Sequence, residues 1–454
     1  MAGLPDVFRN RDFSLYWAGV VLSQIGTRGT IAANYYHVYA LTGSIAYTGL
    51  VGAGQAVALL LLSPLGGALA DRYDRRRLLQ VAQAVALVVA LALTLLTFSG
   101  LVTAWHVVLS VLLTTAAATF DQPARQALIP ALVGKKKIGE AIALLNPSRE
   151  VAILLGPLIA GGLIAVGGPG AMYAFDVLTY GALIVVLAFI RVPKLQPVGA
   201  AAGPVFASIA EGARYVFHRP LITRLMALDL SATVFSAYRV LLPALAADVL
   251  LVGPAGYGVL SAAPSAGALL ATYTIFQVVK GSRRQGKVLL LATALYGVSA
   301  LLLAQAPVLW LAVGAAMLLG AFDAMATTIR HAAVQVDTPD EIRGRVTAFY
   351  QMSSRGGPAI GDVVVGAIGG VLGPVVALSL GALGPMLVAL GFSVRPNVVR
   401  EYRGVEDDDE PPVPTAPPDA RGTSGETGLD DPEHEAHPGR SRADGAERPR
   451  GPQA

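Results

Sequence analysis

Several carboxylates lie inside long apolar stretches of this sequence, where a charge is costly and usually serves a function. They are Asp323, Glu150, Asp229 and Asp121. A carboxylate there can carry a proton, because apolar surroundings favour its neutral form and water or a positive charge favours its ionised form. We expect Asp323 to be the leading candidate for the proton carrier, since it lies near the middle of its apolar stretch. The other three are further candidates.

Arginines in the same apolar stretches predict a polar chamber between them. The candidates for its lining are Arg28, Arg149 and Arg355, together with Asp362. Arg28 falls near the midplane of the first stretch. Its guanidinium can bind an anionic group of a substrate or pair with Asp323.

A charge cluster is expected around Asp121. Asp121 and Arg125 are four residues apart and therefore share a helix face, and Arg149 falls at a similar depth. The counterpart in the second half of the chain is Asp323 with Arg355. A purely structural ion network that holds helices together explains Asp121 equally well.

The elements that position these groups are membrane-length helices. Hydrophobic residues make up 54% of the chain and charged residues only 14%, whereas soluble domains carry about 25% charged residues. A helix needs about 20 apolar residues to cross a bilayer, and about twelve such segments fit between Phe13 and Val394. We therefore predict a multi-pass protein of the cell's inner membrane.

The loops between these segments alternate in charge. One set is rich in Lys and Arg, as in 72–77 and 135–137, and the other, as in 41–45 and 98–103, has neither. Because cytoplasmic loops hold the positive excess, we expect both termini in the cytoplasm.

Two halves of the chain repeat weakly. Phe120-Asp121 matches Phe322-Asp323, and Ser148-Arg149 matches Ser354-Arg355, which indicates two similar bundles around a midplane site. The predicted divisions are a cytoplasmic N-terminus (1–12), a six-helix bundle (13–191), a cytoplasmic loop with an amphipathic helix (192–220), a second six-helix bundle (221–394) and a disordered cytoplasmic tail (395–454).

A dense charge cluster lies between the second and third segments. Gly67, Asp71, Arg72, Arg75 and Arg76 fit the pattern G-x-L-A-D-R-x-G-R-K/R-x-x-L, with an aspartate at position 74 in place of the second glycine. This loop resembles the one between spans two and three of the major facilitator superfamily. The resemblance implies that its charges brace the two bundles as a conformational gate. Anchoring by positive charge alone explains the arginines but not Asp71.

The fifth segment reads Gly156-Pro157 and then Gly161-Gly162. It resembles the fifth-span motif of antiporters in the same superfamily. Pro157 favours a kink, and the glycines allow close approach of a neighbouring helix. A packing motif with no bearing on transport direction is the alternative interpretation.

Further matches narrow the resemblance. They are 8–13, 41–44, 123–130 and 339–345, and they are similar to the branch that contains enterobactin-exporter-like proteins and bacterial drug-efflux proteins. Membership implies an all-α membrane protein with twelve transmembrane helices in two pseudo-symmetric six-helix bundles.

The resemblance implies a proton-coupled exporter, an antiporter, of a small amphipathic molecule such as a siderophore or an antibiotic. Transport would proceed by alternating access, with the proton gradient as driving force and no cofactor. Two alternatives stay open. One is an uptake symporter or facilitator on the same fold, and the other is a non-transporting membrane sensor.

Other classes of function lack their signatures in the sequence. There is no Cys, the few His show no metal spacing, and neither a P-loop nor a Ser/His/Asp arrangement is present. We expect no enzyme, no catalytic residue and no metal. The net charge of +4 reflects the loop bias and does not indicate nucleic acid. The expected partners are the lipid bilayer and a small-molecule substrate, with the protein a monomer.

Overall fold

The computed structural model describes residues 6–72, 74–190, 205–282, 284–394 and 396–404, with the backbone alone for 63–72 and 205–209. All regular structure within these ranges is helical. The predicted tail from 405 onward and most of the predicted central loop (191–204) lie outside the described residues.

The first half of the chain forms five long helices after a short 3-10 turn at Asp6–Arg9. They are α1 (Arg11–Thr42), α2 (Ile45–Arg72), α3 (Arg75–Phe98), α4 (Ala104–Val133) and α5 (Ile138–Phe189). Helix α5 is interrupted at Gly168, whose φ of 71° and ψ of 179° are not helical. A positive φ suits glycine because it has no Cβ, and it divides α5 into two membrane-length pieces.

The second half begins with α6 (Val205–His218) and α7 (Pro220–Leu230). The segment after α7 is broken into a π-helical turn (Ser231–Phe235), a 3-10 turn (Tyr238–Val240), the short α8 (Leu242–Ala244) and another π-helical turn (Leu245–Val249). Five long helices follow: α9 (Gly253–Gly281), α10 (Gln285–Ala304), α11 (Leu309–Val336), α12 (Arg343–Leu372) and α13 (Pro374–Val394).

Nine of the described helices are long and apolar enough to cross a membrane. One of the nine contains both pieces of α5. Helices α1 and α12 are outside the nine although they are 32 and 30 residues long, because each carries buried or half-buried polar and charged side chains. With these two and the divided α5, the described backbone has twelve segments of membrane length. The predicted all-α membrane fold is confirmed.

Helices pack mainly within each half. Helix α1 packs on α5, and α2 and α3 pack on α4, while α11 packs on α9 and α10 in the second half. Between the halves the principal contacts are α2 with α12 and α5 with α9. Glycines permit both contacts: a Cβ on Gly366 would lie 2.7 Å from the Cα of Gly49, and a Cβ on Gly161 would lie 2.7 Å from the Cα of Gly258.

The buried core is continuous at one end of the molecule and divided at the other. We call the two ends the basic-loop end and the neutral-loop end, after the loops that connect the helices there. Near the neutral-loop end one cluster joins both halves and includes Tyr35, Ala160, Tyr257 and Val365. Near the basic-loop end each half has its own cluster, one around Leu128 and one holding residues such as Ile329 and Val346.

Helix α6 lies at the basic-loop end against the start of α12. Glu211 accepts a hydrogen bond from Arg345 at 2.5 Å, and the Tyr215 hydroxyl donates to the Asp337 carbonyl at 3.3 Å. A helix therefore occupies the described part of the segment for which the sequence predicts an amphipathic one.

Candidate functional site

Arg28 on α1 faces α5 at the position of Gly156. A Cβ on Gly156 would lie 2.6 Å from the Cβ of Arg28 and 2.7 Å from the amide nitrogen of Gly29, so only a glycine lets the two helices approach here. Arg149 precedes Gly156 by seven residues, or about two helical turns, and therefore shares its face of α5. Arg149 is thus displaced along α5 by about 10 Å toward the basic-loop end.

A hydrogen bond joins the two halves directly above Arg28. The Tyr35 hydroxyl of α1 donates to the Asp362 carboxylate of α12 at 2.5 Å, and Asp362 is only 3% exposed. Arg28 precedes Tyr35 by seven residues, and Arg355 precedes Asp362 by seven. Both arginines therefore lie on the same faces as this bond, about 10 Å nearer the basic-loop end.

Arg355 also reaches toward the first half. Its Nη1 donates to the side-chain oxygen of Gln122 on α4 at 2.8 Å. Arg239, in the broken segment after α7, lies within electrostatic range of Asp362 and Asp323 and packs against Tyr238 at 5.7 Å from the ring centroid. The sequence placed Arg239 inside a crossing but gave it no role, because the break that positions it leaves no pattern of its own.

Two of the four candidate proton carriers are held in ion pairs inside one half. Asp121 accepts from Arg125 at 2.5 Å and from the Gln83 amide at 2.6 Å. Asp229 accepts from Arg330 at 2.7 Å, with both side chains no more than 4% exposed. These pairs fit a structural role.

The other two candidate proton carriers, Asp323 and Glu150, make no salt bridge within the described residues. The charges that act on Asp323 are Arg330, Asp229 and Arg239, so the structure does not bring Asp323 to Arg355. Glu150 is exposed and lies within electrostatic range of Arg28.

Asp176 is a further buried carboxylate to which the sequence gave no role. It is 1% exposed and accepts hydrogen bonds from Thr30 at 2.7 Å and Thr179 at 3.1 Å. All of these residues belong to the first half. The group therefore ties α1 to the second piece of α5 and does not bridge the halves.

The charged loop after α2 contacts helix ends of the first half. Asp74 caps α3 by accepting a hydrogen bond from the Arg77 amide at 3.0 Å, a capping role that a glycine side chain cannot perform. Arg75 donates to the Ala127 carbonyl at 3.5 Å, and Arg76 donates to the Ala188 carbonyl at 2.9 Å. The side chains of the remaining gate candidates, residues 67, 71 and 72, lie outside the described part.

Three tyrosines close the neutral-loop end. Besides the Tyr35–Asp362 bond, the Tyr39 hydroxyl donates to Asp248, and the Tyr257 hydroxyl donates to the Ala32 carbonyl at 2.8 Å. Each bond runs from α1 to the second half. We call these three bonds the closed-end contacts.

The glycine motif of the fifth segment lies at the same closed end. Gly161 packs on Gly258, and the Pro157 carbonyl would lie 2.7 Å from a Cβ on Gly258. Gly162 faces open space instead. Within the described ranges no group of His, Asp and Glu side chains is suited to hold a metal.

Two packed helical halves with polar groups between them and one closed end are the architecture expected of a membrane transporter. The chain belongs to the transmembrane secretion effector family of the major facilitator superfamily, whose family model matches residues 5–415. Members of this family are transporters and not enzymes.

Curated relatives agree with this family, and solved structures agree with the fold. An enterobactin exporter, EntS, of Citrobacter koseri is 27% identical over 378 residues, covering 83% of this chain and 86% of the relative. The Escherichia coli EntS exporter is 27% identical over 341 residues, with 75% and 80% covered.

Among solved structures, the fold is similar to that of nucleoside transporter NupG, with a TM-score of 0.66, 14% identity, and 84% of this chain and 98% of that chain covered. It is also similar to a bacterial homologue of the iron transporter ferroportin in an inward-facing state, with a TM-score of 0.66, 16% identity, and 85% and 99% covered.

Proposed function

We propose that the protein is a proton-coupled exporter of a small amphipathic molecule such as a siderophore or an antibiotic, working by alternating access. The Tyr35–Asp362 bond carries the proposal, because it places a buried titratable group on the contact that must break when the halves rock apart. The enterobactin exporters among the relatives support export and a cargo of siderophore type.

The described conformation is closed at the neutral-loop end. The shared core cluster and the closed-end contacts join the halves there, whereas the buried clusters at the basic-loop end stay separate. Because loops rich in Lys and Arg belong in the cytoplasm, we infer that this conformation opens to the cytoplasm and would load cargo from it.

Asp362 and Asp323 are the proposed coupling carboxylates. Asp362 accepts the Tyr35 hydrogen bond and lies within electrostatic range of Arg239. Asp323 also lies within electrostatic range of Arg239. A change in the charge of one carboxylate therefore affects the other through their shared interaction with that guanidinium. Asp121 and Asp229 are less suited, since each is already neutralised by a neighbouring arginine.

The proposed cycle couples proton entry to cargo exit. Cargo enters between the halves from the cytoplasm, the closed-end contacts break, and the cavity opens outward. Protonation of the carboxylates from the outer side follows release of the cargo and prepares the return of the transporter. Return to the described conformation re-forms the Tyr35–Asp362 bond, and the proton leaves to the cytoplasm.

A secretion experiment tests direction and cargo together. Culture media from a deletion strain and from the same strain carrying the gene are compared by mass spectrometry. Export predicts that one compound is depleted from the medium and accumulates in the cells of the deletion strain. Slower entry of an external compound into the deletion strain would instead favour uptake.

A vesicle experiment tests the proton coupling. The purified protein is reconstituted with an internal pH dye, and the compound found by the secretion experiment is added across an imposed pH gradient. Proton movement that requires both protein and compound is expected. Transport of the compound at a rate independent of the pH gradient would contradict the coupling, and no movement of either would favour a non-transporting sensor.

A further inference from the structure

We propose that the cavity binds an anionic substrate through four guanidinium groups, those of Arg28, Arg149, Arg239 and Arg355. We call this set the arginine column. The inference rests on the proposed function, because it names the chemical class of the exported molecule. Its basis is the way the arginines between the helices divide into paired and unpaired groups.

Two arginines in the interior of the helical segments are neutralised by a carboxylate of their own half. Arg125 pairs with Asp121, and Arg330 pairs with Asp229. None of the four column residues forms a salt bridge within the described part of the chain. Charges at membrane depth usually mark a substrate path, so these four arginines can bind a ligand that the chain itself does not supply.

The column residues come from both halves and follow one line through the molecule. Arg28 and Arg355 lie about 10 Å from the Tyr35–Asp362 bond on the basic-loop side. Arg149 lies nearer still to that end, and Arg239 lies beside the bond itself. An anion that enters from the basic-loop end would therefore pass from one guanidinium to the next until it reaches the closed-end contacts.

The balance of charge around Arg28 is positive. Its charged neighbours are the other three members of the column and one carboxylate, Glu150. The charge that acts on Arg355 is that of Arg149. Like charges at this range repel, and a bound anion would relieve that repulsion.

Arginine suits this task because its planar fork donates two parallel hydrogen bonds to a carboxylate or phosphate, or to a deprotonated phenolic group through one of them. Because members of the column come from both halves, a bound anion would also draw the halves together. A cation would be repelled by the same four groups. The four guanidinium groups therefore favour an anionic cargo over a cationic one.

Binding of matched compounds tests the inference without any gradient. The full chain is placed in nanodiscs of zwitterionic phosphatidylcholine, and its thermal unfolding midpoint is measured with aromatic scaffolds that each exist as carboxylate, amide and amine. A ligand that binds only the folded state raises the midpoint. Carboxylates are expected to raise it, and their amide and amine counterparts are not.

Variants then assign the effect to the column. Arg149→Gln and Arg355→Gln are expected to weaken carboxylate binding by about tenfold each, the loss typical of one charge-assisted hydrogen bond. Arg149→Lys, which keeps the charge but loses the planar fork, should bind more tightly than Arg149→Gln and more weakly than the wild type. Both wild-type side chains are exposed, so folding should persist. Arg214→Gln, on an exposed position of α6, is the matched control and should bind like the wild type.

Anionic lipid headgroups share the chemistry of an anionic substrate, and a second arm separates them. If phosphatidylglycerol in the nanodisc raises the midpoint through Arg149 and Arg355 while soluble carboxylates do not, the column is a lipid site and the substrate inference fails. It also fails if amides or amines stabilise as well as carboxylates, or if no carboxylate raises the midpoint at millimolar concentration.

The outcome is separable from that of the proposed function. Carboxylate binding through the column without proton-driven transport would support the anion site and contradict the proton coupling. Proton-driven export of a neutral or cationic compound would keep the coupling and remove the anion site.

Discussion

Tyr35 and Asp362 are 327 positions apart in the chain and meet through one buried hydrogen bond. Asp362 also touches the first half at Gly52 of α2, where an added Cβ would clash with the Asp362 Cβ. Because the Tyr35 hydrogen bond joins α1 to α12, it must break whenever these two helices part. The residue pair is therefore a direct reporter of the state of the closed end.

Tyr35→Phe removes the hydroxyl and leaves the buried carboxylate short of one donor. The closed end should lose about 1–3 kcal/mol of stability, the cost of an unsatisfied buried polar group. The chain has no Cys, so a single cysteine at buried Val38 can report opening by its rate of alkylation. The rate should rise in Tyr35→Phe and stay unchanged in Tyr36→Phe, whose hydroxyl makes no hydrogen bond within the described structure. Equal rates in all three proteins would contradict the role of Tyr35.

Asp323→Asn should abolish transport driven by a pH gradient while leaving exchange of cargo for cargo across the membrane. An amide cannot change its charge, but it preserves the shape of the side chain. Vesicles loaded with cargo measure both modes in one preparation. Asp340→Asn, on an exposed turn, is the control and should transport normally. Full proton-driven activity in the Asp323 variant would remove that residue from the mechanism.

Contacts between residues could be predicted only where the two residues lie close together in the sequence. The Asp121–Arg125 pair follows from four-residue spacing, and the structure contains it. The Tyr35–Asp362 bond and the partners of Arg239 could not be anticipated, because they depend on how two halves of the chain dock. The depth of a residue along its helix, by contrast, could be estimated from the sequence. That estimate placed Arg28 and Asp362 inside helices but could not predict which residues they contact.

Helix contacts at the closed end depend on single glycines. Gly161 of α5 packs directly on Gly258 of α9, while the adjacent Gly162 faces open space. Of these two adjacent glycines, one therefore forms a contact between the halves and the other forms none.

Gly161→Ala should force α5 and α9 apart and destabilise the closed end by about 1–3 kcal/mol, the range found for overpacked sites. Its added Cβ would lie 2.7 Å from the Cα of Gly258 and 2.9 Å from the Pro254 carbonyl. The cysteine at Val38 should be alkylated faster in this variant. Gly162→Ala adds the same methyl group without a clash and should behave like the wild type. Faster alkylation in Gly162→Ala than in Gly161→Ala would show that the contact does not hold this end closed.

The Arg330–Asp229 pair ties α11 to α7 inside the second half. Asp229→Asn leaves a buried guanidinium without its counter-charge and should lower the free energy of unfolding by about 3–5 kcal/mol. Thermal unfolding in detergent measures the change. Asp6→Asn breaks the exposed pair with Arg9, where a loss of about 0–1 kcal/mol is expected. Similar losses in the two variants would contradict the structural role assigned to the buried pair.

At the scale of elements, apolar length predicted where helices run but not every place where they break. The break at Gly168 lies in the neutral loop that the sequence predicts at 167–170. The sequence also predicts a crossing centred near Thr233, where the structure has π-helical and 3-10 turns. Such irregularities depend on neighbouring helices, which satisfy the freed backbone groups, and those neighbours are set by the tertiary fold.

At the scale of the whole molecule, the hydropathy and loop-charge patterns were enough for the class of fold. They report a constraint that the bilayer imposes on every segment alike, so each helix could be predicted alone. The conformational state could not be predicted in this way. It depends on which end of two similar bundles is closed, and alternating access requires both states to have similar free energies.

A cross-link across the closed end tests alternating access in the intact protein. Ala46 of α2 and Gly370 of α12 belong to different halves, and a Cβ on Gly370 would lie 2.8 Å from the Ala46 Cβ. That is within a small shift of the roughly 3.8 Å typical of a disulfide. The pair Ala46→Cys and Gly370→Cys should therefore form a disulfide under mild oxidation, with no native thiol to compete.

Because the disulfide holds the halves together at the neutral-loop end, it should stop export, and reduction should restore it in the same sample. Binding of cargo from the basic-loop end should survive cross-linking, since the buried clusters of the two halves are separate at that end. Ala46→Cys alone controls for the substitution and should transport with or without oxidant. Undiminished export by fully cross-linked protein would mean that the halves need not separate at this end, and the rocking mechanism would have to be abandoned.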